Sequence, residues 1–209
     1  MRRFRALLVS QAAFRAVAAG PASAEIVLYD AIGAHGITAA AFRDALQKVS
    51  GAREIRLRIN SPGGEVFDGL AIHNMVARHP AKVTVTIDGL AASIASLIAM
   101  AGDTVQMPTN AMMLVHNPSG MVCANSADMP CMAHVLDKIR DRMVNTYAAK
   151  TGLDPQRLMA LLDAETWMTA GEAKELGFAD EVVAPAQVTA QFNISQFKTQ
   201  PRVRSSVCA

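Results

Sequence analysis

The chain has 209 residues, of which 51% are hydrophobic and 18% charged, and its formal net charge is +2. This length fits one globular domain with a substantial core, and the small net charge gives no indication of nucleic acid or an anionic membrane as a partner. No segment is long and apolar enough to predict a membrane span, and three cysteines without metal-ligand spacing (Cys123, Cys131 and Cys208) indicate a reducing compartment.

Residues 1–24 are predicted to form a leader or an N-terminal arm. The start, Met1–Arg5, is basic, and Ala22–Ala24 resembles a cleavage site made of small residues. However, Gln11 and Arg15 interrupt the apolar run that a secretory signal needs. We therefore expect either a short leader that is removed during maturation or an amphipathic N-terminal helix.

From residue 25 onward, predicted strands alternate with predicted helices. Apolar or alternating runs predict strands at residues 25–30, 54–59, 82–88, 104–107, 111–115 and 181–183. Apolar residues spaced by three and four predict helices at residues 38–49, 66–78, 93–100, 127–150, 155–163 and 170–176. This order predicts an α/β domain over residues 25–184, with a mostly parallel sheet covered by helices, followed by a C-terminal tail over residues 185–209.

Ser93 lies where a predicted strand ends and a helix begins. The N–H groups at a helix start are unpaired, and the helix dipole favours negative charge there. A serine nucleophile needs this environment when an oxyanion forms beside it. Serine is also a preferred N-cap, so this residue alone leaves a structural role open.

Two further strand ends carry residues suited to the same chemistry. The turn Asn60–Val66 contains Gly63 and Gly64, which form either a tight turn or an anion-binding backbone. His116 follows an apolar strand and precedes Asn117–Pro118, and histidine is the base that a serine hydrolase uses near neutral pH. Sites in parallel sheets form where such strand ends meet.

A carboxylate to orient the histidine could come from Asp163 or Glu165, which lie close together in the sequence. Thr169 with Glu172 has the pattern of a helix N-cap. No pair of histidines has zinc-ligand spacing with a carboxylate, and neither a dinucleotide nor a P-loop fingerprint occurs. No metal and no cofactor is therefore expected.

The chain resembles the proteolytic subunit of the Clp protease, and within that family the head-maturation proteases of phages and prophages. The resemblance covers about residues 25–183 and rests on four stretches in the family's order: Ile59–Gly64, Gly89–Ser93, Val115–Pro118 and Asp163–Gly177. It implies the ClpP/crotonase-like fold, with repeated β-β-α units and a long protruding handle helix.

The resemblance also implies roles for individual residues. Ser93 would be the nucleophile, His116 the general base and then acid, and Asp163 the carboxylate that orients His116. The N–H groups of Gly64 and Ile94 would form the oxyanion hole. The substrate would pair as an added strand with an extended segment at Gly64–Val66, and the implied substrate-binding residues are Gly63, Glu65, Val66, Asn117 and Pro118.

Partners are implied in the same way. Family members form heptameric rings, usually two stacked face to face, and act on polypeptides together with a hexameric ATPase that unfolds them. The methionine-rich stripe of the predicted helix 127–150 would lie at the ring contact, although core packing explains it equally well. The turn Leu90–Ser96, the shorter stretch after His116 and the unusual N-terminal segment depart from the housekeeping pattern. These departures favour a cytoplasmic phage enzyme that trims capsid or scaffold proteins inside an assembling prohead.

Several alternatives stay open at the level of sequence. A housekeeping Clp subunit would work with the ATPase, and a signal-peptide-peptidase-like enzyme would use a Ser–Lys pair, for which Lys82 and Lys138 lie in no comparable motif. A crotonase-type acyl-CoA lyase or hydratase would share the fold but needs acidic catalysts and no serine nucleophile. A catalytically silent ring subunit is disfavoured by the complete Ser, His and Asp set.

Overall fold

One mixed sheet organises the part of the chain that the computed structural model describes, which is residues 13–121, 125–126, 128–185 and 197–198. Its strands are β1 (Phe14–Ala18), β2 (Ser23–Leu28), β3 (Glu54–Ser61), β4 (Lys82–Ala92), β5 (Thr104–Pro108), β6 (Met112–Val115), β7 (Thr166–Thr169) and β8 (Glu181–Val183). The helices are α1 (Ala39–Lys48), α2 (Val66–Ala77), α3 (Ile94–Ala99), α4 (Met129–Thr151), α5 (Pro155–Asp163) and α6 (Ala170–Glu175).

The strand order is β1-β2-β3-β4-β5-β8, with β6 on β4 and β7 on β6. Strands β2, β3, β4, β5, β6 and β8 are joined by parallel pairing, while β1 and β7 pair antiparallel with β2 and β6. The predicted mostly parallel sheet with covering helices is therefore confirmed. The sequence did not predict β1 or β7, because β1 is a largely exposed edge strand and β7 has only four residues, too few to show a period of two.

Strand β1 falls within residues 1–24, which were predicted to be a leader or an arm. Its residues Phe14–Ala18 pair along their whole length with β2, which itself begins at Ser23 rather than at residue 25. Residues 1–12 lie outside the described part of the chain, so removal of a leader stays a prediction.

Strand β4 is the element that assembles the site. It extends to Ala92, past the predicted end at residue 88, and it pairs first with β5 and then, from Leu90 onward, with β6. The register between β3 and β4 shifts between Ile59 and Ser61. As a result, the carboxyl ends of β3, β4 and β6 meet at one edge of the sheet.

The core lies between the sheet and its helices. In β3 the side chains of Ile55, Leu57 and Ile59 are buried, while alternate residues of the strand face the other side. Burying each such aliphatic side chain contributes roughly 2 kcal/mol to folding. The predicted cap at Thr169 is confirmed, because Thr169 and Glu172 form a capping box on α6, and Thr38 likewise caps α1 by accepting a hydrogen bond from the N–H of Ala41.

The long helix α4 packs over only part of its length. From Met129 to Arg142 no residue is buried, whereas Met143, Val144 and Tyr147 are buried against the core. The helix ends at Gly152, whose φ of 71° is a left-handed cap that glycine adopts without strain. Core packing therefore explains only the C-terminal end of the methionine-rich stripe, and the remainder forms the protruding handle that the resemblance implied.

Candidate active site

Ser93 joins β4 to α3 in an unusual backbone conformation. Its φ of 55° and ψ of −130° lie in a region that costs a residue with a side chain about 1–3 kcal/mol. Its N–H donates to the carbonyl of Leu114 in β6 at 3.0 Å. The side chain makes no cap hydrogen bond to α3, and Oγ lies 2.8 Å from Nε2 of His116 instead.

A buried hydroxyl pair holds the serine turn from behind. The hydroxyl of Ser96 donates to the carbonyl of Ser93 at 2.7 Å, and it lies 2.8 Å from the hydroxyl of Tyr147 in α4. A serine hydroxyl has one hydrogen to donate, so Tyr147 is the donor in the second contact. Burial raises the pKa of Tyr147 well above its usual value, which keeps this hydroxyl protonated as a donor.

His116 is held in a state suited to accepting a proton. Burial lowers the pKa of its imidazole below the usual value, the nearby charge of Glu165 raises it, and the charge of Lys198 adds to the lowering. Burial is the largest of these effects, so the imidazole is neutral at neutral pH. A neutral imidazole within hydrogen-bond distance of a hydroxyl meets the geometric requirement for a general base.

Gly63 lies directly against the serine turn. Its φ is +86°, and a Cβ at this position would lie 2.6 Å from the carbonyl oxygen of Ala92 and 2.7 Å from Cβ of Ser93. No larger residue fits without moving the backbone that carries Ser93. Glycine is therefore required at this position by the close approach of the two backbone segments, and anion binding by the turn stays a prediction.

The two residues whose N–H groups were expected to form the oxyanion hole, Gly64 and Ile94, lie in the glycine turn and at the start of α3. Gly64 lies opposite Ile32 in a parallel β-bridge, and the hydrogen bonds of this bridge are made by the two neighbours of Gly64. The N–H of Ile32 donates to the carbonyl of Gly63, and the N–H of Glu65 donates to the carbonyl of Ile32. In this pattern the N–H of Gly64 points away from Ile32. Ile94 is the first residue of α3, where an N–H has no intrahelical acceptor.

The extended segment predicted at Gly64–Val66 is shorter in the structure. Only Gly64 pairs as a strand residue, whereas Glu65 is the N-cap of α2 and Val66 is its first residue. The carboxylate of Glu65 accepts a hydrogen bond from the N–H of Ala34 at 3.2 Å. Val66 thus begins the helix predicted from residue 66, the extended backbone ends at Glu65, and substrate pairing along this segment stays a prediction.

The two candidate carboxylates occupy different environments. Asp163 is exposed at the end of α5 and accepts a hydrogen bond from Nδ2 of Asn117 at 2.7 Å, next to the half-buried Pro118. Glu165 is only 9% exposed and has a φ of 50°. Of these two, it is Glu165 whose charge acts on the pKa of His116. The burial of Glu165 and the effect of its charge on this pKa favour it over Asp163, the residue that the resemblance implied.

Strand β7 explains this placement. It pairs antiparallel with β6, and Thr166 lies opposite Val115. Because the strands run in opposite directions, Glu165, which precedes Thr166, lies beside His116, which follows Val115. The sequence feature that could have indicated this role of Glu165 is strand β7, but four residues are too few for its periodicity to be recognised.

Phe197 is the contact near the site that sequence reasoning missed. The tail over residues 185–209 was expected to be extended or peripheral, but Phe197 is 5% exposed. Its ring lies 5.5 Å from that of His116 and 5.7 Å from that of Trp167, measured between centroids.

The structure also shows where the residues of the other sequence-based alternatives lie. Lys82 begins β4 at the end opposite Ser93, and Lys138 lies in the unpacked half of α4, so neither forms a Ser–Lys pair. Within the described ranges no cluster of three or more His, Cys, Asp or Glu side chains could hold a metal. The helices described here include none that is long and apolar enough to cross a membrane.

Comparison with known proteins finds one family. The family model described as Clp protease matches residues 23–186. The ATP-dependent Clp protease proteolytic subunit 1 of Mycobacterium bovis is 33% identical over 143 residues, covering 67% of this chain and 71% of that protein. The corresponding subunit of Bacteroides fragilis is 31% identical over 140 residues, covering 66% and 68%. A ClpP1 mutant from Listeria monocytogenes has a similar fold, with a TM-score of 0.69 at 23% identity, covering 77% of this chain and 91% of that one.

Proposed function

Because this chain belongs to the Clp protease family and is a ClpP-type serine peptidase, we propose that it cleaves polypeptides with Ser93 as the nucleophile and His116 as the base. The observation that carries this proposal is the 2.8 Å contact between Ser93 Oγ and His116 Nε2. The backbone strain at Ser93 supports it, since such strain persists where the surrounding structure holds a functional group in place.

The proposed reaction uses the groups around the serine turn. His116 takes the proton of the Ser93 hydroxyl as the oxygen attacks the substrate carbonyl, and the N–H groups of Gly64 and Ile94 stabilise the oxyanion. His116 then gives the proton to the leaving amine, and water hydrolyses the acyl-enzyme by the reverse sequence. Loss of one oxyanion donor costs on the order of 3 kcal/mol in the barrier.

We assign the orienting carboxylate to Glu165. A negative charge beside the imidazole stabilises the imidazolium that forms during attack and helps to hold the ring in one orientation. Glu165 is buried next to His116, whereas Asp163 is exposed and paired with Asn117. Asp163, Asn117 and Pro118 would then line the entrance to the site beside His116.

For the biological substrate we propose capsid or scaffold proteins of an assembling phage head. The support is the sequence of the turn Leu90–Ser96 and the shorter stretch after His116, which depart from the housekeeping pattern. The second candidate is a cytoplasmic Clp subunit that works with an ATPase, and the names of the curated relatives favour it. Cleavage of a folded substrate only with an added Clp ATPase would select the second candidate; cleavage of capsid or scaffold protein without one would select the first.

The proposal is tested by labelling with a fluorophosphonate probe on the assembled oligomer, followed by intact mass and peptide mapping. The wild-type chain is expected to gain one adduct on Ser93, and Ser93→Ala to lose both the adduct and peptide hydrolysis. Ser50→Ala, which changes an exposed serine after α1, is the matched control and should label normally. An adduct that persists in Ser93→Ala, or an unlabelled oligomer with acyl-CoA hydratase activity, would contradict the proposal.

A further inference from the structure

A small apolar cluster next to the active site contains a residue from the C-terminal tail. Ala92 and Leu114 are fully buried in this cluster, Phe197 is 5% exposed, and Leu90 and Trp167 pack against them. Ala92 directly precedes Ser93, and Leu114 accepts the hydrogen bond from the N–H of Ser93. Phe197 therefore closes an apolar layer formed by β4, β6 and β7 immediately beside the serine turn.

The ring of Phe197 lies between two other rings. It meets His116 at 79° with centroids 5.5 Å apart, and it meets Trp167 at 88° with centroids 5.7 Å apart. Both contacts have the edge-to-face geometry and the spacing of about 4.5–7 Å that aromatic pairs favour. Trp167 is fixed in β7 opposite Leu114, so Phe197 has a rigid support behind it and the imidazole of His116 in front of it.

Three further side chains act on the imidazole. Ser93 meets Nε2 of His116, while Glu165 and Lys198 are the charged groups that act on it. Lys198 is the exposed neighbour of Phe197 in the tail. The tail thus brings one apolar and one cationic side chain to the general base, and both belong to a segment that lies outside the sheet.

We propose that Phe197 is a positioning residue for His116, because its ring is held against Trp167, keeps Nε2 directed at Ser93 and shields the imidazole from water. This inference rests on the function proposed for Ser93 and His116. Side-chain truncation at Phe197 would let the imidazole rotate and hydrate, and displacement of a catalytic group by about 1 Å costs up to a hundredfold in rate.

The first test compares Phe197→Ala and Phe197→Leu in hydrolysis of a short fluorogenic peptide, with kcat and KM measured across pH. Phe197→Ala is expected to lower kcat by about tenfold to a hundredfold. It should also move the acidic limb of the profile to higher pH, because a hydrated imidazole has a higher pKa and loses its neutral form earlier as pH falls. Phe197→Leu, which keeps an apolar side chain, should recover most of kcat.

Lys198→Ala is the matched control in the same tail. Removing this cation takes away one of the charges that lower the pKa of His116, so the acidic limb should again move to higher pH. The aromatic contact is retained, so kcat at the plateau should stay close to that of the wild type. A kcat that falls in Phe197→Ala but not in Lys198→Ala would therefore assign the loss to the aromatic contact rather than to the charge of the tail.

The second test is independent of catalysis. Trp167 is the only tryptophan of the chain, so its fluorescence reports on the docking of Phe197. Phe197→Ala should shift the emission to longer wavelength and make it more accessible to acrylamide quenching, whereas Lys198→Ala should leave both unchanged. Gel filtration and the melting temperature would check that each variant is folded and assembled. If Phe197→Ala is not, Phe197→Leu is used for the fluorescence test, where loss of the ring contact with Trp167 should still change the emission.

The outcomes separate the two proposals. Unchanged Trp167 emission in Phe197→Ala would overturn the docking. A changed emission together with faster hydrolysis would overturn the positioning role and would mean that the tail blocks the site. A changed emission in Phe197→Ala, together with a wild-type protein that shows no Ser93-dependent hydrolysis, would leave the docking in place and overturn the positioning role together with the proposed function.

Discussion

At the scale of single residues, the reactivity of the site depends on where the backbone aims Ser93. Its φ of 55° is maintained because Leu114 accepts its N–H and Ser96 donates to its carbonyl. Without these bonds, the serine would relax toward an ordinary N-cap, with Oγ directed at the N–H groups of α3. The same fold keeps His116 half-buried, and this loss of water lowers the pKa of its imidazole.

The prediction at the scale of single residues concerns the loss of the charge of Glu165. Glu165→Gln removes the charge that raises the pKa of His116, so the acidic limb of kcat/KM should move to lower pH. The same change removes the stabilisation of the imidazolium, so kcat should fall on the order of 10³–10⁴-fold. Both effects are read from the pH profile of peptide hydrolysis.

Asp163→Asn is the matched control, since it neutralises the neighbouring carboxylate with the same change in shape. Asp163 is exposed and contacts Asn117, and exposed charges contribute little. We expect a loss of less than about tenfold in kcat. A larger loss in Asp163→Asn than in Glu165→Gln would return the orienting role to Asp163.

At the scale of elements, α4 is connected to the serine turn through the α3 helix. Its packed end places the hydroxyl of Tyr147 against that of Ser96, which in turn binds the carbonyl of Ser93. Both side chains are fully buried, so water cannot replace a lost partner. The handle and the nucleophile are therefore joined by two consecutive hydrogen bonds.

Tyr147→Phe should weaken this connection. Loss of one buried hydrogen bond is expected to lower the free energy of unfolding by about 1 kcal/mol and to reduce kcat, as measured by urea unfolding and peptide hydrolysis. Tyr29→Phe is the matched control, because its hydroxyl bonds to buried Asp88 away from the site. It should lower stability without slowing hydrolysis, and equal kinetic losses in both variants would argue against a positioning role for Tyr147.

At the scale of the whole molecule, we expect the unpacked half of α4 to contact a second subunit. No residue from Met129 to Arg142 is buried, and Met129 and Val135 are 47% and 43% exposed. An isolated helix of this length is marginally stable in water. Contact with a second copy would both cover these apolar side chains and stabilise the helix, in line with the ring contact that the family implies.

Val135→Glu is expected to disrupt this assembly, because it places a charge in an apolar contact between subunits. Analytical ultracentrifugation should show a smaller species with an unchanged far-UV spectrum, since Val135 is 43% exposed within its own chain. Ala133→Glu introduces the same charge at an exposed position two residues away, on another side of the helix. It should assemble normally, and a wild-type mass for Val135→Glu would contradict the prediction.

The sequence by itself determined the alternating elements, the glycine turn and the positions of Ser93 and His116. These features are local, since each depends on a period of two or 3.6 residues and on the breaker that follows it. The family resemblance then related Ser93 to His116, and the structure confirms the contact between their side chains.

Only the tertiary structure decided which carboxylate faces His116, which half of α4 packs and where Phe197 lies. Glu165 reaches the site through the register of β7 on β6, and register depends on pairing between segments far apart in the chain. The apolar stripe of α4 looks the same in its packed and unpacked halves, and a single aromatic residue in a tail has no periodicity. In each case the outcome depends on what another segment offers to pack against, and no local pattern contains that information.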